Sequence, residues 1–258
     1  DRQRLLLRGL EKKIKLQPAV RKISIRLKKP SLLDVAADVD RLLEAVESET
    51  GLKARIDYEA MKRVPHVVRR GEWHVSAILW RDEEIISVEP GLSSELYGFA
   101  VDIGTTKLAG YLVDLNNGAI IATASMMNPQ ISYGEDVITR IKFAMEDKEN
   151  LKILSRSLIK GINKLISEAC KKAHISRQKI YDMTAAGNTA MHHIFLGIPP
   201  DYVALMPYPA ALQSAVNVKA RELGVKINPG AYVYALPAIA GFVGGDAVAD
   251  VLATEIYR

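Results

Sequence analysis

Apolar residues recur along this chain with two periods, and the change from one to the other marks its elements. From Lys22 to Leu27, Ile23 and Ile25 alternate with Ser24 and charged neighbours, the period of a half-buried strand. Leu33, Val35, Ala36, Val39, Leu42, Leu43 and Val46 then recur at helical spacing. Pro30-Ser31 precedes them and Asp34 follows three residues after Ser31, which predicts a helix capped by Ser31 and closed at Gly51. A second short helix is predicted from Tyr58 to Val68. Trp73 to Trp80 and Glu84 to Val88 read as a hairpin turning at Arg81-Asp82-Glu83.

The pattern after residue 95 is longer and more regular. Phe99 to Ile103 is an apolar strand interrupted by Asp102. Leu108 to Leu115 and Ala119 to Ala124 are two further strands, joined by the hairpin signal Asn116-Asn117-Gly118. Gly134 to Met145 is predicted helical. Leu151 to Lys172 is predicted as a long amphipathic helix with Leu154, Leu158, Ile162 and Leu165 on one face. Strand Lys179 to Ala185, helix Asn188 to Leu196, strand Tyr232 to Ile239 and helix Asp246 to Ile256 complete an α/β order. It is not the all-parallel alternation of a dinucleotide-binding fold. The chain divides into a basic lead-in over 1–20, a small α/β unit over 21–94 and a third block over 95–258. In the lead-in, Leu5, Leu6, Leu7 and Leu10 make one or two helical turns before Gln17-Pro18.

Composition narrows the function classes. The 258 residues are 48% apolar and 25% charged, which excludes a disordered or low-complexity chain and suits one or two domains. The net charge of +5 is uneven: residues 1–30 carry +9 and the remainder −4. The basic head reads as a solvated linker. No aromatic residues interleave with its charges, so a nucleic-acid partner is not expected. The longest uncharged run, Ile227 to Gly245, is broken by Pro229 and Pro237 and makes a poor membrane span. No secretory segment opens the chain, and a cytoplasmic protein without membrane partner is expected. Cys170 is the single cysteine, which excludes a disulfide framework, a zinc finger and an iron–sulfur cluster held by this chain alone. It reads as an inert core thiol. His66 and His74 lack any ligand pattern around them. His192 and His193 point about 100° apart on a helix, and these two, like His66 and His74, read as structural.

Three short motifs carry candidate chemistry; neither GxxxxGK[ST] nor GxGxxG occurs. Asp102-Ile103-Gly104-Thr105-Thr106-Lys107 joins two strands. Gly104 permits close approach of a ligand, and Thr105 and Thr106 offer hydroxyl and N–H donors to phosphate oxygens. A carboxylate inside an apolar strand is costly without a cation, and a magnesium ion held through water suits Asp102. Gly241-Phe242-Val243-Gly244-Gly245-Asp246 ends a strand and opens a helix. Gly244 and Gly245 clear space at a helix N-terminus, and Asp246 is an N-cap and a second carboxylate for metal or water. Gly187-Asn188-Thr189 also links a strand to a helix and is placed to approach the gap between the other two.

Together the motifs resemble the superfamily of sugar and acetate kinases, heat-shock chaperones and actin, in which a phosphate-1 hairpin and a phosphate-2 turn clamp ATP and magnesium. A narrower resemblance rests on Tyr97-Gly-Phe-Ala-Val-Asp-Ile-Gly-Thr-Thr106, Asn128-Pro-Gln130, Tyr133-Gly-Glu-Asp-Val-Ile-Thr-Arg-Ile141, Gly187-Asn-Thr-Ala-Met-His-His193 and Gly241-Phe-Val-Gly-Gly-Asp246, with Pro30-Ser-Leu-Leu-Asp34 and Asp40-Arg-Leu42 ahead of them. These are similar to the reductive activators of corrinoid proteins.

The resemblance implies a small α/β middle domain (21–94) followed by a partial actin-like ATPase domain (95–258): its ribonuclease H-like first lobe and the start of the second. It implies ATP hydrolysis coupled to Co(II)-to-Co(I) reduction on a corrinoid methyl-transfer protein. Gly104, Thr105, Thr106, Lys107, Gly244 and Gly245 would bind nucleotide, with Gly187, Asn188 and Thr189 lining the cleft. Asp102 and Asp246 would act as catalytic and magnesium-positioning residues. Electrons would come through an iron–sulfur domain that this cysteine-poor chain does not contain, and a homodimer is compatible with the family. The family's second adenosine segment would lie beyond Arg258, so the chain is expected to be a piece of a longer activator, weak or inactive alone. A small-molecule kinase and an actin-like interaction protein of the same superfamily are the alternatives. An activator of radical-type dehydratases would need cluster cysteines that the chain lacks.

Overall fold

A computed structural model of the chain describes residues 15–254. The predicted turns of helix within 1–14 and the end of the last helix lie outside them. The first sheet has the order β1-β3-β4-β2, built from β1 (Val20–Arg26), β2 (Arg55–Ile56), β3 (His74–Trp80) and β4 (Glu84–Pro90). Helices α1 (Asp38–Thr50) and α2 (Tyr58–Arg70) cover one face. Leu42, Val46, Val64 and Val68 from the helices pack on Val75, Leu79 and Ile85 from the strands. The β3–β4 connection, Arg81-Asp82-Glu83, places Arg81 and Asp82 at positive φ, 50° and 60°, as the two central residues of a turn closed by the Glu83 N–H on the Trp80 carbonyl at 3.0 Å.

The start of α1 departs from the sequence reading. Ser31 does not cap a helix. Ser31 and Asp34 exchange backbone hydrogen bonds of 3.0 Å across a tight turn, and Leu32 and Leu33 at its tip are fully exposed. Asp34 is not a capping-box partner either, because its carboxylate is taken by the Arg41 guanidinium and by Lys28 at 3.2 Å. The Arg41 contact holds the Asp34 carboxyl well below the usual carboxylate range. The helix begins only at Asp38, where Asp38 and Asp40 meet the positive end of its dipole.

The second sheet has the order β7-β6-β5-β8-β10-β9. Its strands are β5 (Tyr97–Ile103), β6 (Lys107–Asp114), β7 (Ile120–Met127), β8 (Ile180–Gly187), β9 (Val216–Lys219) and β10 (Tyr232–Ala235). β5, β6 and β7 are antiparallel neighbours, whereas β8 runs parallel to β5 and β10 parallel to β8. Three antiparallel strands followed by parallel ones is the order expected of the first lobe of an actin-like fold. The helices are α3 (Val137–Glu146), α4 (Lys148–Ala173), α5 (Thr189–Leu196), α6 (Ala220–Leu223) and α7 (Gly245–Thr254). Leu154, Leu158, Ile162 and Leu165 of α4 pack on Phe99, Val101, Leu108 and Leu112, forming the main core.

Other departures are local. Residues 134–136 are not helical: a 3-10 turn over Pro129–Tyr133 precedes α3, which starts after the Asp136 cap. β10 ends at Ala235 rather than Ile239. The β9–α6 unit has no counterpart in the sequence reading.

The two sheets are joined. Val20, Ile78, Trp80 and Ile86 of the first pack against Leu96 and Tyr181 beside the second. Trp80 stacks on Tyr232 with ring centroids 4.0 Å apart. Gly230 passes so close to the Ile86 carbonyl that a Cβ would lie 1.8 Å from its oxygen. Polar groups flank this apolar seam. Glu89 takes Lys22 at 2.8 Å, Lys179 at 2.7 Å and the Tyr181 hydroxyl at 2.5 Å.

Candidate functional site

The parallel strands β5, β8 and β10 end on the same side of the sheet, where ligands of open α/β sheets bind. Asp102 lies opposite Ala186, and Ile103 opposite Gly187, so the turn after β5 and the start of α5 are neighbours by register. The chain leaving β10 reaches α7 through residues 236–244 beside them.

Contacts knit the three motifs together. Asn188 caps α5, its Oδ1 accepting from the Met191 N–H at 3.0 Å. Its Nδ2 donates to Thr105 Oγ1 at 3.1 Å. Gly244 sits against the same residue: a Cβ there would come within 2.5 Å of Asn188 Cα and of the Gly187 carbonyl oxygen. Gly104 is also required for space, since its Cβ would lie 2.5 Å from the Lys107 carbonyl oxygen.

The remaining candidates divide. Thr106 is exposed on the turn, its carbonyl accepting from the Asn128 N–H at 2.9 Å. Lys107 is partly buried and pairs with Met127 as β6 begins. Thr189 is fully buried and its hydroxyl donates to the Ala240 carbonyl at 2.6 Å, so it ties the 236–244 loop to α5 instead of opening onto the cleft. Gly245 is buried, and a Cβ on it would meet Leu236 Cβ at 2.8 Å. Asp246 is not an N-cap, because α7 already includes Gly245; it sits in the first turn, its Oδ1 accepting from the Ala247 N–H at 2.8 Å.

The electrostatics of this edge are those of crowded acids. Asp102 is exposed on the cleft side, and partial burial, then the charges of Asp246 and Asp250, raise its carboxyl above the ordinary range. Among the described residues, none of the influences on it comes from a cation. Among the described residues, no three His, Cys, Asp or Glu side chains are placed to hold a metal directly. An oxygen-loving ion that keeps most of its waters and leans on one or two carboxylates plus ligand phosphates fits such a donor set; a caged ion does not.

Sequence reasoning missed the layer behind the first turn. Arg140 of α3 is fully buried. Its Nη2 donates to the Thr105 carbonyl at 2.6 Å and its Nε to the Gly134 carbonyl at 2.8 Å. Its Nη1 reaches Gln130 Oε1 at 3.3 Å. Asn128 Nδ2 donates to the Gly104 carbonyl at 2.9 Å, and Gln130 Nε2 to the Leu154 carbonyl at 3.0 Å. The signal was present in Asn128-Pro129-Gln130, a capped helix start with proline at its first position. What it braces only the fold reveals.

The histidines and the thiol do not enter the site chemistry. His193 Nε2 accepts from the Ala211 and Leu212 N–H groups at 3.1 and 3.3 Å, which leaves Nδ1–H to donate to the Thr189 carbonyl at 2.7 Å and keeps the ring neutral. His192 is buried beside it, and burial pushes its pKa down to about 4. Burial pushes the Cys170 thiol up to about 11, out of the reactive range.

Comparison with known proteins gives a consistent set of relatives. Residues 97–258 match the family described as the RACo middle region, and residues 9–95 the RACo linker region. The corrinoid activation enzyme RamQ of Eubacterium limosum is 34% identical over 198 residues, covering 76% of this chain and 33% of RamQ. A solved structure titled reductive activator for corrinoid, iron-sulfur protein superposes with a TM-score of 0.83 at 32% identity, over 96% of this chain and 40% of that one. The chain thus spans about a third to two fifths of the length of these relatives.

Proposed function

We propose, for a chain that belongs to the RACo middle-region family, that it is the partial nucleotide-binding part of an ATP-dependent reductive activator of a corrinoid protein. The observation that carries this reading is the meeting of three turns at one sheet edge, tied through Thr105, Asn188 and Gly244, beside carboxylates that repel one another. In this reading residues 21–94 are a linking domain and residues 95–258 a partial ATPase domain, working in the cytoplasm.

Gly104, Thr105 and Thr106 receive the β- and γ-phosphates on backbone and hydroxyl donors, and Gly244 and Gly245, packed on Asn188 and Leu236, bring the N-terminus of α7 up to them. Gly187 and Asn188 floor the cleft, and Thr189 holds that floor to the α7 loop. Lys107 stands at the exit of the first turn. Asp102 and Asp246 would hold a magnesium ion, and Asp246 would orient the attacking water. Magnesium supplies neutralisation of phosphate charge. The protein's own share is positioning, with little covalent work. Electrons reach the corrinoid partner from an iron–sulfur domain outside this chain. Coupling requires two arrangements of the ATPase domain with different affinity for the partner.

The test uses the full-length gene product, a corrinoid protein held as Co(II) and a low-potential reductant. ATP should be hydrolysed and the Co(I) absorbance should appear only when ATP and magnesium are both present. ATP turnover that phosphorylates a small hydroxylated compound, without Co(I), would make the protein a kinase. ATP-dependent sedimentation without either would make it an actin-like assembly protein.

Gly244 offers a sharper check of the geometry. In Gly244→Ala the new methyl meets the Gly187–Asn188 backbone, which no side-chain rotation can relieve. The α7 turn must shift, and misplacement of about an ångström weakens use of a bound substrate on the order of 100-fold. ATP-turnover assays should record the loss, while far-ultraviolet circular dichroism should stay that of the parent protein.

A further inference from the structure

The Arg140 guanidinium is fully buried, yet every group it touches is neutral. Its partners are the Thr105 and Gly134 carbonyls, Gln130 Oε1 and Met191 Sδ, the last at 3.4 Å. Among the described residues it forms no ion pair. The one acid that acts on it is Asp136, the exposed cap of α3, whose carboxylate accepts from the Thr139 N–H at 2.8 Å. Burial lowers the guanidinium only to about 10, so it stays cationic at neutral pH.

A buried charge satisfied in hydrogen bonds but not in counter-charge is costly to keep. Apolar side chains could brace α3 without that cost. The charge is also specifically aimed: its shortest bond goes to the carbonyl of Thr105, in the turn that faces the cleft. That bond turns the carbonyl oxygen inward, away from any anion at the turn. Gly134 is shaped to admit the arginine, since a Cβ there would lie 3.0 Å from Arg140 N and 3.1 Å from its Cγ.

We propose that Arg140 is a positioning residue whose uncompensated buried charge sets the anion affinity of the Gly104–Thr106 turn, with the phosphates of the ligand supplying the missing counter-charge. The proposal rests on the nucleotide reading above. Arg140 does not touch the ligand; it acts through the Thr105 carbonyl and through its field, which the low-dielectric interior leaves largely unscreened.

Arg140→Met in the full-length gene product, with magnesium present, tests it against a charge series of ligands. ATP and ADP affinity should fall on the order of tenfold, while affinity for uncharged adenosine stays that of the parent. Arg140→Lys, which keeps the charge and loses the fork, should recover part of the ATP affinity. Equal losses for ATP and adenosine would reduce Arg140 to a structural brace and overturn the proposal, and so would unchanged ATP affinity in a folded variant. Should Arg140→Met fail to fold, Gln130→Glu places a carboxylate against the guanidinium; it must lower ATP affinity and spare adenosine, or the proposal falls. A parent protein that binds no ATP would instead sink the nucleotide reading itself.

Discussion

Asp102→Ala in the full-length gene product should cut ATP turnover by roughly 10²- to 10³-fold, the range seen when one preorganised electrostatic group is removed. The folded state should meanwhile be as heat-resistant as the parent protein, or more so. Both expectations come from one fact. Asp102 sits at the end of β5 with burial, Asp246 and Asp250 all opposing its charge, and among the described residues no cation offsets them. Without ligand it is a liability, and removing it relieves repulsion.

The sign with pH follows. The folded chain binds this proton more tightly than the unfolded chain. Ionised Asp102 therefore costs stability above its raised native value, and that cost fades as pH falls toward the unfolded value of about 4. The gain in melting temperature from Asp102→Ala should be larger at pH 8 than at pH 4.5. Phosphate release and thermal melts at both pH values check this. Lost turnover with lost stability would make Asp102 a structural acid, and retained turnover would remove it from the catalytic site.

The strands that carry the site were legible because their signals are local. Asp102 interrupts an apolar strand, and Gly187-Asn188 and Gly244-Gly245 each sit where a strand pattern gives way to a helical one. Their meeting depends on topology, which three antiparallel strands followed by parallel ones constrain to few arrangements. Illegible features depended on contacts distant in sequence. Leu33, Val35 and Ala36 share the helical period of α1, yet Arg41 reaches back to Asp34 and holds that segment as a turn. Arg140 stands in the sequence only as one residue of the Tyr133–Ile141 motif; docking α3 buries it fully behind the first turn. Thr189 looked like a donor to the cleft, but its hydroxyl is taken by Ala240 from fifty residues onward in the chain. β9 and α6 span four residues each, too few for a period to emerge.

Asp57→Ala should destabilise the fold by about 2–3 kcal/mol, the cost of a lost helix cap together with lost hydrogen bonds between charged groups. Asp57 precedes α2 and serves both sheets. Its Oδ1 caps α2 by accepting from the Glu59 N–H at 2.9 Å. The same carboxylate, 2% exposed, takes Arg221 of α6 at 2.9 Å and Lys219 of β9 at 3.2 Å. Glu84 in β4 shares Lys219 at 2.8 Å and accepts from the Tyr232 hydroxyl at 2.8 Å. Removing Asp57 costs the cap and the buried partner of Arg221, whereas Arg221 keeps Glu222 and Lys219 keeps Glu84.

Asp57→Asn keeps the oxygen that caps α2 and accepts from Arg221, and it should cost less than alanine. Burial pulls the Asp57 carboxyl upward, but Arg221 and Lys219 outweigh it and hold the group below the ordinary range. Its contribution is therefore complete above the unfolded value of about 4 and is lost as pH falls through the lower native value. The parent protein should lose stability below pH 4 more steeply than Asp57→Ala does. Because the ion pairs at Asp57 add to the apolar seam and the Trp80–Tyr232 stack in fastening the first sheet to the second, denaturant unfolding followed by the fluorescence of Trp73 and Trp80 and by circular dichroism should coincide in the parent and separate in Asp57→Ala. Coincident transitions in the variant would mean that the apolar seam alone makes the two sheets one cooperative unit.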